Sequence, residues 1–311
     1  MGRERTEQAG CLPFLMTLKK REAFVGYFFI FPFLVGFLLF HMLPLLSSVA
    51  ISMTDLSFIS NLSDVRFVGA DHFLRMWDDE RFVDSLGRSF WFTALYVPTV
   101  IVASLAVAFL INARIRFKHA VRTAIFLPYV SNFVAIAVVW AMLLDVRDGP
   151  VNATLLALGV ETPPLWLLAP DSVIPTIVLI LSWQNIGFFM IVYLAALQDV
   201  PREMYEAATM DGATGFQKLR WITLPSISPT TFLLVITAVI NSFQNFGPIQ
   251  VLTKGGPGQA STTLSVNIYQ ETFVNYRIGY STAQAIVLFL IILAITAIQW
   301  RGQKKWVSYE S

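Results

Sequence analysis

Six stretches of the chain are apolar for twenty residues or more and contain no Asp, Glu, Lys or Arg: 23–54, 90–113, 123–144, 173–197, 223–253 and 281–300. Crossing the hydrocarbon core of a bilayer takes about 20 residues of helix. Only helices and closed barrels satisfy their backbone groups in hydrocarbon, and barrel strands would show alternating segments of about ten residues. The pattern therefore predicts a helix over each stretch. The first stretch is longer than the 7–15-residue apolar core of a cleaved signal, so it is read as a retained span. Polar connections lie between the runs. A short helix is expected at 73–86 in the first, and turns at Asp148-Gly149-Pro150 and Pro163-Pro164 in the third.

The fold class expected is an all-α integral membrane protein with six transmembrane helices and one further short helix between the fourth and fifth. Its units are an N-terminal segment, 1–22, a six-span domain, 23–301, and a tail, 302–311. Composition agrees: of 311 residues, 56% are hydrophobic and 14% charged, against about 25% charged in a soluble domain. This disfavours a cytosolic enzyme, a nucleic-acid binder and a disordered chain. The single cysteine, Cys11, excludes an internal disulfide and a cysteine-based zinc cluster.

Net charge is only +2, but its placement is uneven. The N-terminus, the second and fourth connections and the tail carry fifteen Lys and Arg, among them Lys19, Arg114, Arg122, Lys218 and Lys305. The remaining connections carry seven, among them Arg75, Arg147, Lys254 and Arg277. The positive-inside rule then puts both termini in the cytoplasm. Trp300 and Trp306, beside Arg301, Lys304 and Lys305, look like an interfacial anchor.

The spans lack the ionisable groups expected of an ion-coupled carrier; His41 is the only imidazole among them. No phosphate-binding loop of the Gly-x-x-x-x-Gly-Lys-Ser/Thr type occurs. A pump built on this chain must take its energy from another subunit. Neutral polar groups are present instead. Thr237, Asn241, Gln244, Asn245 and Pro248 recur at the spacing of one helical face. Ser182, Gln184 and Asn185 flank Trp183, and Ser131 and Asn132 lie in the third run. Amides beside Trp183, Phe188 and Phe243 suit a hydroxyl-rich neutral ligand such as a sugar. Interhelical hydrogen bonding is the competing explanation.

The connection before the fifth run mixes acids, bases and small residues. In Pro201-Arg202-Glu203-Met204-Tyr205-Glu206-Ala207-Ala208-Thr209-Met210-Asp211-Gly212, Pro201 suits a first helical position and Glu203 the positive helix start. Asp211-Gly212 suits a turn. The segment reads as a short helix, a turn, then a second helical piece leading into the next span. Met204, Ala207, Ala208 and Asp211 share a face on which a partner could approach closely.

Here a family resemblance becomes specific. Glu206-Ala207-Ala208, then Gly212, then Ile222-Thr223-Leu224-Pro225 has the spacing of the EAA loop, within 199–225. The chain thus resembles the permease subunits of binding-protein-dependent ABC importers, in particular the maltose and glycerol-3-phosphate type. Phe126-Leu127-Pro128-Tyr129, Ala195-Ala196-Leu197-Gln198, Leu252-Thr253-Lys254-Gly255-Gly256-Pro257, Phe67-Val68-Gly69 and Gly279-Tyr280-Ser281-Thr282-Ala283 add to the likeness, which extends over about 22–301. Lys254 departs from the family pattern.

The resemblance implies that the short helix is a cytoplasmic coupling helix held in a cleft of an ATPase, with Tyr205, Glu206, Ala207, Ala208, Asp211 and Gly212 as the coupling residues. Glu206 would meet a basic group, the alanines would pack in the cleft and Gly212 would permit the turn. Gln184, Asn185, Asn241, Ser242, Gln244 and Asn245 would line the substrate pathway. No catalytic residue, metal or cofactor is implied in this chain; ATP and Mg would sit on the ATPase subunits. The implied partners are a second homologous permease, two ATPase subunits, an external or periplasmic binding protein and the bilayer, in a bacterial or archaeal inner membrane. A sugar or polyol is the implied cargo. Glycerol-3-phosphate, sulfo-sugars and acidic oligosaccharides are alternatives, and an ion-coupled carrier or channel is the remote one.

Overall fold

A computed structural model describes residues 12–59, 61–113 and 117–303. Cys11, Arg114, Lys304, Lys305 and Trp306, named above, lie outside the described residues. Among the described residues the chain is helical, with one isolated bridge between Thr54 and Phe67. In order the helices are α1 (Leu12–Phe37), α2 (Leu43–Ser52), α3 (Asp71–Arg75), α4 (Glu80–Asn112), α5 (Lys118–Val130), α6 (Phe133–Leu143), α7 (Pro150–Ala157) and α8 (Pro170–Asp199). They continue with α9 (Arg202–Met210), α10 (Gly215–Lys218), α11 (Leu224–Ser226), α12 (Ser228–Phe243), α13 (Gly247–Leu252), α14 (Leu264–Phe273) and α15 (Ile278–Gly302).

Among the described residues, four helices are long and apolar enough to cross a membrane: Ala23–Ser52, Glu80–Asn112, Pro170–Asp199 and Ile278–Gly302. The third and fifth apolar runs are not single helices, contrary to the expectation from hydropathy. In the third, α5 and α6 meet at 98°. Ser131 and Asn132 are extended there, and the Asn132 side chain accepts a hydrogen bond from the Val134 N–H at 2.8 Å. Asn132 is thus the cap of a new helix, a role its place in an apolar run did not suggest.

In the fifth run the segment Gly215–Ser226 meets α12 at 65°. Pro229 has no N–H to offer the carbonyl four residues back, which opens the ladder at the bend. α12 then stops at Phe243, and Pro248, in the first turn of α13, has no N–H with which to carry the ladder across. Thr237 and Asn241 therefore share a helix that Gln244 caps, its N–H still bonding the Ile240 carbonyl at 3.2 Å, but Asn245 and Pro248 lie beyond it and do not continue the face. In the first run a π turn, Leu38–Met42, holds His41 and precedes Pro44.

The expected helix at 73–86 is also split. Asp79 turns extended and caps α4, its carboxylate accepting from the Arg81 N–H at 3.0 Å, so the second half belongs to the long span.

The core lies where α4 packs on α8, with Phe92, Tyr96, Val100, Ile177, Leu181, Phe189 and Tyr193 buried. Small groups let helices approach. A Cβ on Gly187 of α8 would lie 2.5 Å from the Ile125 carbonyl oxygen of α5. A second cluster, including Met76, Phe82, Phe243, Leu264 and Ala283, joins the starts of α4 and α15 to α12 and α14. The first span, by contrast, exposes Phe28, Phe29, Phe31, Phe33 and Phe40, and only its α2 end packs broadly, on α15.

Candidate functional site

The segment between α8 and the bent fifth run folds as an exposed helix. α9 begins directly after Pro201, which sits at the cap one place before the expected first helical position. Its end is fixed by backbone geometry. The N–H groups of Gly212 and Ala213 bond the carbonyls of Thr209 and Ala208, at 3.1 and 2.8 Å. Gly212 occupies the left-handed region at φ +75°. This pair of bonds is the motif that favours glycine at a helix end, so the Asp211-Gly212 turn reading holds. Thr214 and Gln217 then form a capping box that starts α10.

Glu206, Ala207, Asp211 and Gly212 are exposed, Ala208 is half-buried, and Met210 is 89% exposed. The Met204, Ala207, Ala208 and Asp211 face is therefore accessible. Tyr205 is half-buried and packs against the main apolar cluster. Its hydroxyl lies 2.8 Å from Thr223 Oγ1. Thr223 is buried and closes a π turn, Leu219–Thr223. A second tie, from Lys218 Nζ to Thr209 Oγ1 at 2.8 Å, crosses the same turn. Lys218, Thr209 and Thr223 were not singled out from sequence. Thr223 stood in the quoted Ile222-Thr223-Leu224-Pro225 run, and its approach to Tyr205, eighteen residues away, is a product of the turn.

The polar groups proposed for a pathway are dispersed. Gln184 is buried on α8, and Asn185 donates to its own helix, Nδ2 to the Leu181 carbonyl at 2.8 Å. Asn241 and Gln244 are exposed and Asn245 is half-buried. Gln244 borders a groove of about 370 Å³ beside Ala285, Leu288 and Phe289 of α15. Ser242 is buried and meets Thr93 Oγ1 of α4 at 2.8 Å, which is interhelical bonding. Phe243 is buried edge-on against Phe90. Phe188 stacks on Tyr129 with centroids 5.0 Å apart, and Trp183 meets Trp140 edge-on at 5.5 Å.

The connection before α15 holds charge that no sequence pattern flagged. Glu271 of α14 is 1% exposed. Its carboxylate pairs with Arg277 Nε at 2.9 Å and accepts from Asn275 Nδ2 at 2.8 Å. Close by, the Tyr280 hydroxyl donates to Asp79 Oδ2 at 2.6 Å, and His72 Nε2 lies 2.9 Å from the Thr54 carbonyl oxygen. This cluster ties the end of the first span to the caps of α4 and α15. In the third connection, Asp145 accepts from the Asp148 and Arg147 N–H groups, each at 2.9 Å, which holds its carboxyl below the usual carboxylate range.

Residues 79–304 match the family described as the binding-protein-dependent transport system inner membrane component. The chain belongs to this family of ABC permeases. It is 32% identical to the probable ABC transporter permease protein YesP of Bacillus subtilis (strain 168), over 94% of each chain. It is 32% identical to the lactose transport system permease protein LacF of Rhizobium radiobacter, over 91% of this chain and 94% of that protein. A crystal structure of a bacterial ABC transporter involved in import of the acidic polysaccharide alginate is similar at a TM-score of 0.81. The two are 25% identical, over 94% of this chain and 99% of that one. Family membership makes this permease an inner membrane component and a transport subunit rather than an enzyme.

Proposed function

We propose that this permease forms half of the translocation pathway of a carbohydrate importer and takes its energy from a separate ATPase through α9. The observation that carries the reading is α9 itself: an exposed helix bearing Glu206-Ala207-Ala208, closed by a left-handed Gly212 and tied inward through Tyr205. Small side chains on its outer face admit close approach of a protein groove, and Glu206 offers a charge for a directional contact. The positive-inside distribution supports six spans with both termini and α9 in the cytoplasm, each bent pair counting as one span.

The assembly we propose contains a second permease, two ATPase subunits carrying ATP and Mg, and an external binding protein. Closure of the ATPase pair would pull α9 and bias the spans between outward and inward states, while binding-protein delivery biases the same equilibrium from outside. A sugar cargo is favoured by the amides of Gln184, Asn185, Asn241, Gln244 and Asn245 and by the names of the relatives, one for lactose and one structure for acidic alginate. The charge-free apolar runs favour a neutral sugar over an anionic one.

The test is uptake and ATP hydrolysis by the complete transporter in liposomes, with lactose and an alginate oligosaccharide as probes. Glu206→Lys or Gly212→Val is expected to abolish uptake of the transported probe while the chain stays folded. Asn241→Ala, Gln244→Ala and Asn245→Ala together are expected to lower uptake and leave assembly intact. Unchanged uptake in the first pair would overturn the role of α9; unchanged uptake in the triple variant would remove the pathway assignment.

A further inference from the structure

We infer that the Tyr205–Thr223 hydrogen bond is the strut that passes displacement of α9 into the bent fifth span, with Tyr205 and Thr223 acting as positioning residues. The inference rests on the reading of α9 as the ATPase-facing helix.

Four observations carry it. First, α9 holds to the bundle at few points. Of its nine residues only Tyr205 and Ala208 are even half-buried. Second, the contact is short and anchored inside the turn. The Tyr205 hydroxyl lies 2.8 Å from Thr223 Oγ1, which also lies 3.3 Å from the Lys218 carbonyl oxygen. Third, Thr223 is buried at 5% exposure, where a hydrogen bond is less screened than at the surface. The Lys218–Thr209 tie lies at the surface, so it is the weaker link.

Fourth, the far end of the strut lies in a π turn, a wide helical turn often placed at functional sites. That turn belongs to the Gly215–Ser226 segment, which meets α12 at 65° beside Pro229. Force applied at Thr223 therefore acts on one arm of a bend. It changes the angle between the arms more readily than it translates a straight helix, because the ladder is already open at the bend. Tyr205 also packs against the main apolar cluster, so the strut starts from a side chain that is itself held by the bundle.

The experiment uses the complete transporter in nanodiscs, needs no transported solute and starts from a Cys11→Ser background. Spin labels at Val102→Cys on α4 and Leu233→Cys on α12, both more than half exposed, report the distance between the two spans before and after Mg-ATP with vanadate. In the parent a second distance population is expected to appear. In Tyr205→Phe and in Thr223→Val the equilibrium toward that population is expected to fall about five-fold, the size of one lost hydrogen bond, with the ATPase subunits still co-eluting. Thr223→Ser keeps the hydroxyl and is expected to match the parent. The double variant is expected to equal either single one, because both remove the same bond.

An unchanged second population in both single variants, or a double variant showing the product of two independent losses, would overturn the strut. Failure of the underlying reading has a different signature. ATPase subunits that still co-elute and still drive the shift when Ala207 and Ala208 are both replaced by tryptophan would show that they do not engage α9.

Discussion

Gly187 is the point at which a single methyl group tests how the α5–α8 contact is built. A Cβ there would lie 2.5 Å from the Ile125 carbonyl oxygen and 2.7 Å from Phe126 Cα, both backbone atoms of α5. Ordinary contact begins at 3.4 Å, so α5 must retreat by about 0.9 Å. Overpacking of this kind costs about 1–3 kcal/mol. The retreat also pulls Tyr129 from its stack on Phe188 and loads the 98° junction with α6. At roughly 2–4 °C per kcal/mol, Gly187→Ala should lower the melting temperature of the purified chain in detergent by several degrees. Gly87→Ala is the matched control. Gly87 lies within α4 and a Cβ there meets nothing within 4 Å, so the gain in helix propensity, up to about 1 kcal/mol, should leave it neutral or more stable. Scanning fluorimetry of the two variants beside the parent decides the matter. A Gly187→Ala protein that melts with the parent, or above it, would refute the claim that backbone contact sets the α5–α8 distance.

Two further outcomes are expected. Arg277→Met removes a half-exposed cation from a carboxylate that is 1% exposed and should cost about 1–3 kcal/mol, the scale of a buried acceptor left unmet. Glu271→Gln, which removes the charge instead, should cost less in denaturant titration; the reverse order would count against a buried carboxylate held by Arg277. Asp145 is held below the usual carboxylate range by the Asp148 and Arg147 N–H groups, so its ionised form favours the folded turn. That contribution is present above the unfolded value and is lost as pH falls through the lower folded one. Hydrogen exchange across 145–150 should therefore speed up, relative to the intrinsic rate, only below the usual carboxylate range, and Asp145→Asn should lack the step.

Much of the architecture was legible because hydrocarbon demands so much of a sequence. The absence of charge over 173–197 and 281–300 marked α8 and α15 well, since nothing but a helix tolerates such a run there. The breaks in the third and fifth runs were not legible from hydropathy, because Ser131, Asn132 and Gln244 add too little polarity to interrupt it. Their neighbouring prolines were the better signal: Pro229 and Pro248 each delete one backbone bond, and reading them would have ended the supposed continuous face at Phe243. For α9, the Asp-Gly pair gave the turn and Pro201 the start to within one residue. The partners of Tyr205 and Glu271 could not be read in the same way. Both contacts close across turns whose path depends on left-handed residues, Gly212 in one case and Tyr276 in the other.

The interrupted runs have a consequence for hydration. Ser131, Asn132 and Gln244 are exposed within otherwise apolar stretches, and the backbone beside them has left the helical ladder. Backbone that leaves the ladder at membrane depth is found only against other protein or along a wet cavity. If each bent pair crosses the bilayer as proposed, the breaks mark a face to be covered by protein or wetted, opposite in character to the first span, whose exposed phenylalanines suit lipid.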